Sequence, residues 1–592
     1  MISHVSPVSG VACWQDQYVA TAGYDNQVVL WDASTDVPLA RAHHDHLANQ
    51  CAFTPDGRFL LTASSDYSAR VWTVPDLRLH AVLTDHRDDV EMVAPHPTLP
   101  LAATASRDHA VRVFDLSGRL QHVFHGHTAD VISVEWTEQP DELVSSSDDA
   151  TIRRWSLTTG GEVSQIDMGG VETDTVALDV DGTVYAGNDE GQLVVVRDGE
   201  RTIVQAHNAG VKRLVLDAAG SRLVSLSYDR TAVLWDVGSS TPTEVSRFAL
   251  PADVWPRSCA FADAHDIVFA TFGDRYRRYS GEAGEWGPPA SPTHGLNAVA
   301  VGVTPRGTDL VVGDAGLVWT RSRATGDRQL TTDLGSLCNF LTPVEGAVLT
   351  GGQLGRVMNA LTGDLVHQHR SPLNCAAGFT RAGVPHAVVG TYTGEGLLLR
   401  REAGTWRFVR ELPLLANAVK GLAASDRTLF AVGADCSATW WDLDSLTENR
   451  IDRAAHAKIA NGCAWVVDEV FASVSRDLHL RLWDAGTPQA LRTPHEHSVK
   501  CTAALQSVPG RHGPVIATGA YDGTVALLDV RTGTWLDYTR VTTSGVSTLV
   551  ADPVEGVFLA SSYDGQVHVV ELPPETSRDA GALVGAAGLV RA

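Results

Sequence analysis

Along this chain, apolar β-branched residues alternate with polar ones over short runs of only a few positions, as from Gln27 to Leu30 and from Val111 to Val113. Gly, Asp and Pro close each run. A period of two bounded by turn residues predicts short antiparallel strands. The runs recur with a regular mark: a strand, a tight Asp turn, and a second strand ending in Trp or a substitute for it. Between Val28 and Glu571 this happens fourteen times, about 41 residues apart. The clearest copies are TAGYDNQVVLWD, TASSDYSARVWT, TASRDHAVRVFD, SLSYDRTAVLWD, SVSRDLHLRLWD, TGAYDGTVALLD and ASSYDGQVHVVE. In each, the Trp position is the sixth after the turn Asp: Asp25 and Trp31, Asp66 and Trp72, Asp108 and Phe114, Asp229 and Trp235, Asp477 and Trp483. Gly-His or Ala-His pairs precede several copies, as at Gly126-His127, Ala206-His207 and Ala455-His456.

A period near 40 with four short strands and these marks resembles the WD-repeat family of β-propellers, over almost the whole chain. One four-stranded sheet of this length cannot bury both faces, so neighbouring sheets must stack radially. The resemblance implies rings of seven blades, and fourteen repeats make two. The expected fold is all-β, fourteen four-stranded repeats forming two seven-bladed β-propellers in tandem, at 1–290 and 291–592. The Trp positions fall at 31, 72, 114, 155, 196, 235 and about 279, then at about 319, 359, 399, 441, 483, 528 and 570. The seam is expected in the Pro-rich stretch Gly287 to Thr293. The apolar tail Gly581 to Arg591 is a candidate strand to complete blade fourteen.

With 592 residues, the chain exceeds a single core. Its formal charge of −24 opposes nucleic-acid binding, which needs a focused positive field. Only four lysines accompany about forty arginines, which reads as codon bias in a GC-rich, bacterial-type genome. No basic segment followed by an apolar run opens the sequence, and no stretch approaches the roughly 18 apolar residues of a membrane helix. The expectation is a cytoplasmic protein that meets neither nucleic acid nor membrane. The eight cysteines have no CxxC spacing; Cys13, Cys51, Cys338, Cys375, Cys463 and Cys501 fall in apolar first strands and read as reduced core residues.

His207, Ser227 and Asp229 have the residue types of a hydrolase triad. The same set recurs as His44, Ser64, Asp66; His127, Ser147, Asp149; and His456, Ser475, Asp477. A catalytic site is needed once, whereas a structural device is needed in every blade. Each set ends on a Trp (72, 155, 235 or 483), matching the family's His-Ser-Asp-Trp hydrogen-bond chain. The clusters His43, His44, His46 and His122, His125, His127 contain imidazoles that could ligate zinc, but two of these histidines belong to the repeated set and no cysteine joins them. The chain has no phosphate loop, HExxH or GxSxG. No cofactor, metal or catalytic residue is assigned.

The resemblance also implies that three positions per blade face one rim: three and five residues after the His position, and the residue before the turn Asp. In blades three to five these are Asp89, Glu91, Asp130, Asp148, Glu172, Asp174 and Asp189, seven acids in one sector. Beside them fall Tyr24, Arg107, Lys212, Tyr228, Trp255 and Arg257. Tyr, Trp and Arg dominate binding energy at interfaces, so this rim reads as a docking face for a basic protein segment. The second ring presents Asn374, Tyr392, Lys420, Asn461, Arg476, Lys500, Tyr521 and Tyr563, which is polar and weakly positive. Unlike rims suggest two partners on one non-catalytic scaffold. The alternatives are a propeller enzyme or small-ligand binder at a central channel, and a recognition or sensor subunit of a bacterial signalling or defence assembly.

Overall fold

The computed structural model describes residues 2–574 except 180, 218, 240, 292, 314–315, 485–487 and 508–512. It consists of fourteen antiparallel sheets, each a meander in sequence order. Thirteen have four strands; the last has three, Val546–Asp552, Val557–Ser562 and Val567–Val570. The tail expected to complete that blade lies outside the described residues.

The innermost strands pack around two closed circles. In the first, Val8–Trp14 of blade 1 packs on Ala48–Phe53 of blade 2 and, closing the ring, on Val254–Phe261 of blade 7. In the second, Leu296–Ala300 of blade 8 packs on Cys338–Val344 and closes on Val546–Asp552 of blade 14. These are two seven-bladed propellers. The last strand of the first is Glu285–Trp286, and the first of the second begins at Leu296.

Between blades the apolar faces of the middle strands form a separate core at each junction. One such core joins Ala20, Leu30 and Ala48 to Leu60 and Trp72, and another joins Val111 and Val113 to Leu143 and Trp155. Stacking neighbours is what buries the second face of each sheet. Register places twelve of the fourteen expected Trp positions at the same point of their third strand. The exceptions are blades 8 and 9. There the equivalents of Trp31, paired as Val19 with Trp31, are Arg321, paired with Asp309, and Ala360, beside the short strand Arg356–Asn359. Residues 319 and 359 are therefore two and one positions early. In blade 8 the core position holds an ion network instead of an aromatic ring: Asp309, fully buried, faces Arg321 at 3.7 Å and Arg323 at 2.7 Å.

The repeated polar set is a hydrogen-bond chain, with one correction. The hydroxyl that joins His to Trp lies two residues before the serine expected from the sequence. In blade 12, Trp483 Nε1 donates to Ser473 Oγ at 2.8 Å, His456 Nε2 meets the same oxygen at 2.7 Å, and His456 Nδ1 faces Asp477 Oδ2 at 3.0 Å. Thr62, Ser145 and Ser225 serve in the same way in blades 2, 4 and 6. Ser475 instead donates to the Lys458 carbonyl and accepts from the Asp477 amide, both at 3.0 Å, and shapes the turn. Burial would raise the Asp477 carboxyl, but the His456 hydrogen bond and charge with two backbone N–H groups outweigh it and bring it down to about 2.

Candidate binding chamber

Every innermost strand carries one irregularity near its start. In thirteen blades a single residue is skipped in the ladder between the first and second pairs, as between Val419 and Gly421, Val499 and Cys501 or Val90 and Met92; in blade 7 the shift spans residues 255–258. A β-bulge leaves its extra residue unpaired and re-aims its side chain. Repeated around a ring, bulges point one side chain per blade at the axis. In the second ring these are Asn297, Asn339, Asn374, Lys420, Asn461, Lys500 and Ser547; in the first they include Asn49, Glu91, Asp174, Lys212 and Arg257. All of them line a single cavity of about 810 Å³.

One cavity can touch both sets because the rings meet rim to rim. The rims that the sequence assigns to outside partners face each other. Lys458 is ion-paired with Asp88, Arg476 with Asp89 at 3.3 Å, and Asn417 donates to both carboxylate oxygens of Glu172 at 2.7 and 2.9 Å. Aromatic contacts alternate with these: Tyr24 with Tyr563 at 6.4 Å between centroids, Tyr228 with Tyr392 at 5.7 Å, and buried His46 between His497 and Tyr521. Trp255 and Phe272 of the first ring pack on Leu337 of the second, and Ser6 Oγ donates to the Tyr563 carbonyl at 2.8 Å. The contacts run in opposite order around the two rings: blades 1, 2, 3, 5, 6 and 7 meet blades 14, 13, 12, 11, 10 and 9. Among the described residues the basic counterpart of the acidic rim is thus the second ring of the same chain.

The structure brings the rim residues assigned from the sequence (Tyr24, Asp89, Glu91, Arg107, Asp130, Asp148, Glu172, Asp174, Tyr228, Trp255, Arg257, Arg476, Tyr521 and Tyr563, with Asp189, Lys212, Asn374, Tyr392, Lys420, Asn461 and Lys500) to this inter-ring space. Within it, charge is neutralised unevenly. On the first ring, Glu91 pairs with Arg107 at 2.5 Å and Arg257 at 3.3 Å, Arg107 reaches Asp130 at 2.5 Å, and Lys212 bridges Asp174 and Asp189. Even so, acids outnumber bases there. Burial, reinforced by Asp189 and Asp174, pushes the Glu172 carboxyl up to about 7, and burial with Asp174, Asp130 and Glu172 pushes Asp148 well up. The second ring has the opposite imbalance, with Lys420, Lys458, Lys500 and Arg476 lining it. Sequence reading missed Ser9, Asn49, Asn297, Asn339 and Ser547 as lining residues, although the step of five from the His position that found Glu91 also lands on Ser9 and Asn49.

The histidine clusters do not gather. His44 and His127 are held in the hydrogen-bond chains, while His43 and His125 end exposed outer strands. Among the described residues, no group of three or more His, Cys, Asp or Glu is placed to hold a metal ion. Among the described residues, no helix is long and apolar enough to cross a membrane.

Five segments of the first ring, 1–32, 37–73, 77–115, 118–156 and 200–236, match the WD40 family, WD domain, G-beta repeat. These are WD40 repeats. The chain is also homologous to WD repeat proteins. WD repeat-containing protein 37 of Xenopus laevis is 28% identical over 259 residues, covering 40% of this chain and 50% of its own length. The human protein of that name is 26% identical over 256 residues, 39% and 50% of the two chains. Nuclear distribution protein PAC1 of Arthroderma benhamiae is 26% identical over 172 residues, 25% and 37%. The chain spans about half the length of the WD repeat-containing protein 37 relatives it matches, and less of PAC1. These relatives are eukaryotic, so the bacterial-type reading of the arginine bias finds no support in them. The second WD40-like ring is matched by no part of the family segments, in keeping with its lost Trp positions.

Proposed function

We propose that this protein is a non-catalytic protein-interaction scaffold in which two propellers act as one rigid double ring. The homology to WD repeat proteins, which generally bind protein partners, supports this reading. The observation that carries it is that the residues resembling catalytic sets recur blade after blade as hydrogen-bond chains, each consumed in holding strands together. With the bulge-bearing rims turned inward, partners dock on the opposite faces and on the outer strands. The rim residues take part in such docking only if the rings separate.

The test is chemical cross-linking of the intact chain with partners captured from its source cell, compared between wild type and a variant with inter-ring ion pairs removed (D88N with D89N). Cross-links on outer strands, unchanged in the variant, are expected. Cross-links at Asp130 or Glu172 that strengthen when the pairs are removed would return docking to the rims. Absence of any reproducible partner for either protein would overturn the scaffold reading.

A further inference from the structure

The chain contains only four lysines, Lys212, Lys420, Lys458 and Lys500, and every one lines the chamber between the rings. Lys212 and Lys458 are neutralised by Asp174, Asp189 and Asp88. Lys420 and Lys500 are not: among the described residues neither forms an ion pair. They occupy bulge positions on blades 11 and 13, with Asn461 on blade 12 between them. The cavity runs past them into the axial channel of the second ring, where the lining residues Ala376, Gly421 and Gly462 are small. Each ammonium is held over a tyrosine ring, Lys420 at 4.5 Å from the Tyr392 centroid and Lys500 at 5.5 Å from that of Tyr521. A ring face steadies a cation but does not neutralise it.

Two partly buried cations converging without a counter-charge cost free energy unless something else supplies it. The other bulge residues of this throat, four asparagines and a serine, contribute no acid. Asn339, Asn374 and Asn461 donate their amides to the carbonyl of the next blade, at 2.7, 2.9 and 2.8 Å, which fixes the rim of the throat. Arg476, paired with Asp89 of the first ring, stands nearby. Burial, with the charges of Lys500 and Arg476, lowers the Lys420 ammonium to about 7, while Tyr521 keeps that of Lys500 high.

From this geometry we infer that the throat of the second ring is a binding site for a small oxyanion-bearing molecule, its phosphate or carboxylate group held between Lys420 and Lys500 and its body in the chamber. The space of about 810 Å³ suits a metabolite-sized ligand rather than a folded partner. The site is independent of the outer docking surfaces, so it can hold if the scaffold reading fails, and the reverse.

The experiment uses the full chain and three probes: pyrophosphate, citrate and pyridoxal 5′-phosphate. Thermal melting with millimolar pyrophosphate or citrate, against sodium chloride of equal ionic strength, is expected to show a rise of several degrees for wild type and none for K420M/K500M. The preferred anion distinguishes phosphate from carboxylate. Without anion, the double variant is expected to melt at or above wild type, because two unpaired charges are gone. Pyridoxal 5′-phosphate condenses with an unprotonated amine, losing water, and borohydride reduces the imine; with four lysines, mass spectrometry reads the site directly. Labelling of Lys420, blocked by pyrophosphate, is expected, and this arm needs no variant to fold. Equal anion-dependent shifts in wild type and double variant, no shift beyond that of sodium chloride, or labelling of Lys212 or Lys458 in preference to Lys420 would each overturn the assignment.

Discussion

The displacement of the hydrogen-bonding hydroxyl from Ser475 to Ser473 can be measured. Ser473 is completely buried, and its oxygen serves both Trp483 Nε1 and His456 Nε2. Ser473→Ala leaves two buried polar groups without a partner, at about 1–3 kcal/mol each, so a loss of about 2–6 kcal/mol is expected. Trp483→Phe removes a 1% exposed indole, leaves a small void and takes one of the two partners of the Ser473 oxygen, and is expected to cost about 2–3 kcal/mol. In the double variant the indole N–H no longer needs an acceptor, so the two effects are not additive. A coupling of about 1–2 kcal/mol is expected from a double-mutant cycle. Ser475→Ala is also destabilising, since it breaks bonds to the Lys458 carbonyl and the Asp477 amide, but its cycle with Trp483→Phe should close within about 0.5 kcal/mol. Urea unfolding followed by far-ultraviolet circular dichroism gives these energies, provided the slope with denaturant is unchanged among variants. Coupling as large at Ser475 as at Ser473 would refute the assignment.

Removing Arg476 leaves Asp89, largely buried at 12% side-chain exposure, without its cross-ring partner; R476A is expected to lose about 3 kcal/mol in the same assay, with R476A/D89N recovering most of it. The Glu172 carboxyl, raised to about 7, keeps its proton in the folded state over a range where the unfolded chain has lost it, so stability falls as pH rises from about 4.3 to 7. E172Q is therefore expected to melt higher than wild type at pH 8 and no higher at pH 4.5; equal melting at both would contradict the burial of that carboxyl. Burial pushes the thiols of Cys13, Cys259, Cys338, Cys375 and Cys501 up to about 12. A thiol reagent at pH 8 is expected to leave these five unmodified in native protein and to titrate all eight cysteines in guanidinium.

The architecture was legible because the same turn and aromatic marks recur fourteen times, so errors in one blade are corrected by its neighbours. Where the marks fade, placement slipped. In blade 9 the turn position of Asp25 is taken by Leu354, and in blade 8 the tryptophan, Trp319, stands two residues before Arg321, the true register partner of Asp309. The serine error has a simpler origin: residues two apart in a strand share a face, so Ser473 and Ser475 are equivalent in pattern, and only pairing across strands separates them. The rim residues were found from the repeat, and so was their unlike charge. What sequence could not supply was the arrangement of one ring relative to the other, which turns two expected partner surfaces into the two walls of one chamber.

Repeat arrays ordinarily vary by gaining or losing a unit, and a free propeller tolerates this by opening or tightening its circle. Here the cross-ring pairs, from Tyr24 with Tyr563 through Asp89 with Arg476 to Trp255 with Leu337, align only when both circles are divided alike. Duplication of one repeat in either half would rotate every later contact out of step with its mate. The two halves are thus locked to a common number, and a viable change of that number has to occur in both at once.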